Sequence, residues 1–153
     1  MAGLYFEDFE IGKEYVHPWS RTVTETDTIL YCGLTMNPAP IHLDAHYMET
    51  TIHGQRLVPS LYTGGLVGGM IVNELTLGTT LGNLGYTKFD FPKPVFHGDT
   101  IRAETTILDK RESKSRTDSG IVFFEHRGIN QRGEIVHIAH RAGLMLKRPV
   151  ADG

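Results

Sequence analysis

Ser60-Leu61-Tyr62-Thr63-Gly64-Gly65-Leu66-Val67-Gly68-Gly69-Met70-Ile71-Val72-Asn73-Glu74-Leu75 decides the architecture. Leu61, Leu66, Val67, Met70, Ile71 and Leu75 put apolar residues on nearly every side of a helix, and a helix apolar all round is a buried one. Its four interior glycines should cost roughly 1 kcal/mol each against alanine. Close approach of the backbone to a surrounding sheet is the expected offset. The paired spacings Gly64/Gly68 and Gly65/Gly69 also occur in membrane helices. The wider apolar run Leu57–Leu77, however, begins after Arg56 and contains Asn73 and Glu74. A spanning helix needs about 20 mostly apolar residues without such interruptions, so no membrane is expected as a partner.

Downstream the period changes from helix to strand. Leu84–Phe91 carries Tyr86, Phe89 and Phe91 before Pro92 and Pro94 interrupt it, and Gly98-Asp99 turns into Thr100–Leu108. A charged patch from Asp109 to Asp118 precedes Ile121–Asn130, and Gln131-Arg132-Gly133 turns into a last strand over about 134–146. Long strands joined by short polar turns describe an antiparallel meander. One buried helix followed by such a sheet predicts an α+β fold.

Upstream, residues 5–23 read as an extended entry, with Gly12 at a turn and strand character at Tyr15-Val16 and Arg21-Thr22-Val23. Thr24 can cap a short helix that closes near Cys32-Gly33, and Glu25 and Asp27 suit its dipole. Asp44 is placed to cap a second short helix to about His53, with Gly54 ending it.

With 153 residues, one domain over 1–153 is expected, large enough to bury roughly two thirds of its unfolded surface. The hydrophobic fraction of 40% and charged fraction of 22% are those of a soluble globular protein. A net charge of −3 gives no basic field, so nucleic acid is not an expected partner. The single cysteine, Cys32, excludes an internal disulfide and suits a reducing, cytoplasmic setting. Met1–Glu7 has neither a cationic nor an apolar leader segment, so no secretory signal is expected there.

Between the two short helices lies Asn37-Pro38-Ala39-Pro40-Ile41-His42-Leu43-Asp44. Prolines restrict φ and remove donors, so an ordered loop is expected, neither regular helix nor central strand. It presents one titratable imidazole beside the buried helix, either toward a site or toward solvent.

A sheet wrapped around a glycine-rich helix is the hot-dog architecture, and the loop makes the likeness specific. The chain resembles the MaoC-like dehydratases, relatives of the (R)-specific enoyl-CoA hydratases. Their loop reads Gly-Asp-x-Asn-Pro-Leu-His with a further aspartate two residues on. Laid on it without gaps, Met36 stands at the glycine, Asn37 at the catalytic aspartate, Pro40 at the proline, His42 at the catalytic histidine and Asp44 at the later aspartate. Pro94-Val95-Phe96-His97-Gly98-Asp99-Thr100 resembles the family's Pro-Val-x-x-Gly-Asp segment, and Arg21–Asp27 resembles its lead into the first helix. The form Asn-x-Ala-Pro-x-His, together with Ser113-Lys114-Ser115-Arg116, resembles a branch that includes mesaconyl-CoA and itaconyl-CoA hydratases.

There are departures. Asn37 replaces the acid/base aspartate, Ala39 replaces an asparagine, and Pro59-Ser60 replaces a His-Gly pair. An amide cannot exchange a proton as a carboxylate does. The resemblance implies hydration or dehydration of a short, branched or dicarboxylic enoyl-CoA, with coenzyme A arriving as part of the substrate and no metal or redox cofactor. Such chemistry needs a base for water, an acid for the α-carbon, and donors for the thioester oxygen. His42 is the expected base and Asn37 the group that orients water. The start of the central helix, Ser60 and Leu61, would supply N–H donors. For a dicarboxylic substrate, its own free carboxylate would take part of the missing aspartate's role.

Several assignments stay open on sequence. Ser60 is equally a helix cap. Asp44 either orients His42 or caps the next helix. Lys114 and Arg116, with Lys110 and Arg111, either meet the phosphates of coenzyme A or form a solvated turn balanced by Asp109, Glu112 and Asp118. Arg56 is the better candidate for a substrate carboxylate. His42 with His46 has metal-ligand spacing, but the Asp44 cap puts them on different elements, so no metal is expected. A hot-dog thioesterase would draw on Glu74, which lies near the far end of the helix. A non-catalytic acyl-CoA-binding subunit would follow from the loss of the aspartate. Proteins of this fold pair into dimers, so at least a homodimer is expected.

Overall fold

The computed structural model describes residues 3–149; Met1, Ala2 and residues 150–153 lie outside the described residues, so the amino-terminal leader reading is only partly covered. A 3₁₀ turn at Phe6–Asp8 leads into β1 (Glu14–Thr22), α1 (Glu25–Thr35), α2 (Pro40–Leu43), α3 (Ala45–Glu49) and α4 (Ser60–Met70). A π-helical turn at Val72–Thr76 then leads to β2 (Thr80–Asp90), β3 (Thr100–Glu112), β4 (Ser119–Ile129) and β5 (Ile135–Leu146). The strands form one antiparallel sheet in the order β1-β3-β4-β5-β2. The β3-β4-β5 meander is as expected, and β1 and β2 close its two edges. The sheet packs on α4, which is the hot-dog layout. Among the described residues no helix is long and apolar enough to cross a membrane.

The core lies where α4 and the following turn meet the inner face of the sheet. Val67, Met70, Ile71 and Leu75 pack against Ile101, Ile107, Phe124 and Met145. One side of α4 is left open, contrary to the all-round burial its composition predicts. Leu61 is 60% exposed, and Gly65 and Gly69 lie open beside it. A five-stranded sheet can wrap only one side of a helix. Close backbone approach explains one glycine: a Cβ on Gly64 would lie 2.5 Å from the Phe89 ring. At Gly65, Gly68 and Gly69 a Cβ would meet nothing within 4 Å.

Other boundaries moved for local reasons. The helix capped by Thr24 runs to Thr35, and Asp27 returns the bond to the Thr24 N–H as a capping box. The proline loop contains a helical turn, α2, which the prolines were expected to forbid. Pro40 occupies a first-turn position of it, where its missing donor has no intrahelical partner to lose. The helix after Asp44 stops at Glu49, and Gly54 closes the turn that follows with φ of 66°. α4 gives way after Met70 to the wider turn, which aims Glu74 at His17 of β1. β2 begins four residues early because three register shifts break its alternation. β3 continues to Glu112, with a shift at Ile107/Asp109 that sends its charged end out of the core.

Met36 ends α1 in the left-handed region, with φ of 56°, and is 90% exposed. This is the position where the family motif carries glycine. A side chain there costs about 1–2 kcal/mol of backbone strain, and no packing opposes its removal. Met36→Gly is therefore expected to raise stability by roughly 1 kcal/mol, read as a higher midpoint in chemical denaturation.

Candidate active site

His42 ends the single turn of α2. Its side chain is buried, at 9% relative exposure, and its Nδ1 lies 2.8 Å from the Leu57 carbonyl oxygen. A carbonyl can only accept, so Nδ1 carries a proton, and in the neutral ring Nε2 is the nitrogen with the lone pair. Among the described residues Nε2 has no partner. The ring borders a cavity of about 380 Å³, and Leu57, Ser60, Thr63, Phe91 and Val95 form much of the remaining wall. The imidazole thus faces a crevice rather than bulk solvent. The Leu57 N–H in turn donates to the Ile41 carbonyl at 2.9 Å, so two backbone bonds tie the histidine segment to the lead into α4.

The first turn of α4 forms the opposite wall. Its N-cap is Pro59, and no side chain caps it, so Ser60 is the first helical residue and not the cap. Tyr62 and Thr63 N–H donate to the Pro59 carbonyl. That leaves the Ser60 and Leu61 N–H without acceptors among the described residues, at the positive end of an 11-residue helix. Ser60 lines the His42 cavity, whereas the Leu61 side chain borders two neighbouring cavities. Thr63 also faces the His42 cavity. It is 1% exposed, and its hydroxyl has no partner. A buried hydroxyl left unpaired costs stability, which makes Thr63 a site residue that sequence reading missed. The available signal was a threonine within an apolar run.

The other expected residues lie elsewhere. Asn37 does not line this cavity, and its Oδ1 accepts from the Ala39 N–H at 3.1 Å. Of the two readings of Asp44 the cap holds: it caps α3 by accepting from the Tyr47 N–H at 2.9 Å, and the Leu57 carbonyl, not Asp44, orients His42. Arg56 does not line the His42 cavity. Its Nη1 donates to Glu25 at 3.1 Å, so a protein carboxylate already compensates its charge. Lys114 and Arg116 sit in the β3–β4 turn, whereas the His42 cavity meets Val136 near the start of β5, at the other end of the strands. The 13 residues of β3 span roughly 40 Å when extended. Arg116 is bound to Asp118 by two bonds of 2.9 and 2.7 Å, as the solvated-turn reading has it. Glu74, which a thioesterase would use, is bonded to His17 and does not border the His42 cavity. Among the described residues no group of three or more His, Cys, Asp or Glu is placed to hold a metal.

The Pro-Val-x-x-Gly-Asp likeness acquires a structural role. Val95 and Pro94 line the His42 cavity, and Asp99 anchors the turn that presents them. Asp99 accepts from the Phe96 N–H at 3.0 Å, Gln131 Nε2 at 2.8 Å and Arg132 Nη1 at 3.1 Å. Burial alone would raise its pKa, but the bonds from Gln131, Phe96 and Arg132 outweigh burial and hold it below the usual carboxylate value.

Known proteins resemble the chain along its length. A relative described as mesaconyl-CoA hydratase, from Cereibacter sphaeroides, is 34% identical over 98% of this chain and 43% of its own. A beta-methylmalyl-CoA dehydratase from Chloroflexus aurantiacus is 30% identical over 88% of this chain and 38% of its own. The chain therefore spans about two fifths of the length of these two relatives. A solved structure described as a monoamine oxidase regulatory protein, from Archaeoglobus fulgius, superposes with a TM-score of 0.87 at 31% identity, covering 97% of this chain and 98% of that one. The MaoC like domain matches residues 8–127. With the fold, the His42 loop and these likenesses in agreement, the chain belongs to the MaoC-like domain family.

Proposed function

We propose that residues 1–153 form one hot-dog unit that hydrates, or in reverse dehydrates, a short enoyl-CoA, with His42 as the base. One observation carries this reading: a buried imidazole whose proton is pinned at Nδ1 by the Leu57 carbonyl, leaving a basic Nε2 on a cavity walled by the start of α4. Nε2 takes a proton from water as its oxygen bonds to the β-carbon. The π electrons move toward the thioester oxygen, and the imidazolium then returns the proton to the α-carbon, a syn addition through one base. The Ser60 and Leu61 N–H groups and the Thr63 hydroxyl are the donors available to the developing enolate. Asn37 can act on the water only through its free Nδ2, because its oxygen is engaged. Two relatives carry the names mesaconyl-CoA hydratase and beta-methylmalyl-CoA dehydratase, which favours a branched or dicarboxylic acyl-CoA as substrate here.

The reading includes no bound metal or redox group, since the proton steps need none, and it places the protein in the cytoplasm, where Cys32 stays reduced. A second copy of the chain is the proposed cover for the open side of α4 and the β2 edge, where Leu61, Leu81 and Leu84 are exposed.

The test is incubation with crotonyl-, mesaconyl- and itaconyl-CoA while enoyl absorbance and free thiol are followed together. Loss of absorbance without thiol is the expected result. Thiol release would replace the reading with a thioesterase, and binding without turnover with a carrier subunit. In the same assay Thr63→Val should slow hydration about 3- to 10-fold, the worth of one hydrogen bond. Its stability should not fall, because the hydroxyl has no partner to lose.

A further inference from the structure

A chain of side chains outside the His42 cavity crosses the inside of the sheet. Arg141 Nε lies 2.8 Å from His126 Nε2; His126 Nδ1 lies 2.8 Å from Thr105 Oγ1; Thr105 Oγ1 lies 2.9 Å from His17 Nε2; and His17 Nδ1 meets Glu74. With one proton on each ring, the ends set every direction. A guanidinium only donates, so His126 accepts at Nε2 and donates from Nδ1 to Thr105. Thr105 then donates to His17, and His17 donates to the Glu74 carboxylate, which only accepts. No bond in the chain is frustrated when each ring carries its proton on Nδ1. His126 is accordingly held well below its ordinary pKa, first by burial and then by the Arg141 charge beside it.

The chain holds Arg141 by one nitrogen and leaves the other two free. Nη1 and Nη2 have no acceptor among the described residues, and Arg141 forms no ion pair among them. The guanidinium rests on the Phe124 ring at 4.7 Å, and Nη1 occupies the space that a side chain on Gly143 would claim. Arg141 borders a cavity of about 490 Å³ between α4 and β2, with Gly64, Gly68, Asn83, Tyr86 and Phe89. No Asp or Glu lines this cavity or the two smaller ones that Arg141 also touches. A largely buried cation that cannot shed its proton calls for an anion, and a planar fork matches a carboxylate in two bonds. Phe89, which lines this cavity, packs against His137 and Phe91, and Phe91 lines the His42 cavity, with ring centroids 4.6–5.3 Å apart.

We infer that the Arg141 cavity is an oxyanion site, that it takes a carboxylate through the free Nη1 and Nη2, and that the Glu74–His17–Thr105–His126 chain positions the guanidinium for it. The acyl chain that would bring this carboxylate rests on the enoyl-CoA reading above; the anion site itself does not. It is therefore tested by binding without turnover. Thermal unfolding and calorimetric titration of the whole chain are run with free mesaconate, inorganic phosphate and chloride at equal ionic strength. Mesaconate is expected to raise the melting temperature saturably and chloride to leave it unchanged. Arg141→Gln, which keeps a donor for His126, should abolish the shift, and Arg141→Lys should weaken mesaconate binding at least tenfold. Thr105→Val, which breaks the chain at its middle, should weaken mesaconate binding while the fork remains. Absence of any mesaconate effect on the parent chain overturns the proposal, as does a shift that survives Arg141→Gln. A response to phosphate alone overturns the carboxylate assignment. Loss of hydratase activity in every assay would remove the enzymatic reading and leave this result standing.

Discussion

His42→Ala is expected to lower the rate of hydration about 100- to 10,000-fold, the usual contribution of a positioned general base. This corresponds to roughly 3–5 kcal/mol of barrier. The imidazole sits on the wall of an existing cavity, so its removal enlarges that space without opening the packed core around Val67 and Phe124. Binding of the coenzyme portion should stay nearly intact. The Leu57 carbonyl loses its side-chain donor, so His42→Gln, which offers an amide N–H in its place, is the paired control. Both variants should melt cooperatively, and both should fail in turnover. A turnover rate for His42→Ala within about threefold of the parent, less than 1 kcal/mol, would remove the histidine from the mechanism and with it the proposed function.

Much of this was legible in the chain, and the remainder has physical reasons for being hidden. The change of period from the apolar 60–75 stretch to alternating strands announced the sheet on its helix, because burial writes itself into side-chain pattern. Thr24 and Asp44 were read as caps because a cap is a local interaction of three or four residues. The helical turn at Pro40 was hidden because proline forbids a helix interior but not its first turn. The start of β2 was hidden because register shifts at Gly82 and Gly85 break the alternation that marks a strand. The group that orients His42 was hidden: Asp44, its neighbour in sequence, caps α3, and the Leu57 backbone holds the ring. A carbonyl belongs to every residue and leaves no trace in composition. The Arg141 chain was invisible for a related reason. Its members come from β1, β3, β4, β5 and the turn after α4, and no spacing relates them.

Phe124→Ala is expected to destabilise the chain by about 3–5 kcal/mol, the range for deleting a fully buried aromatic ring. Phe124 is 0% exposed and sits at the middle of the inner sheet face. Phe9 meets it edge-on at 5.5 Å, His126 stacks on it at 5.3 Å, and the Arg141 guanidinium lies over it. Three different kinds of contact therefore end together. The surrounding strands are hydrogen-bonded on both sides and cannot close the void. For a chain of this size the loss corresponds to a fall in melting temperature of roughly 6–20 °C, followed by circular dichroism. Phe124→Leu keeps most of the apolar volume and should lose distinctly less. The two variants also separate packing from charge. If the ring acts only by filling space, leucine restores mesaconate binding along with stability. If the ring also holds the guanidinium through its face, leucine restores stability but leaves anion binding weakened. A melting temperature for Phe124→Ala within about 2 °C of the parent, under 1 kcal/mol, would mean that the sheet does not close over this ring as described. The position of Arg141 derived from that closure would fall with it.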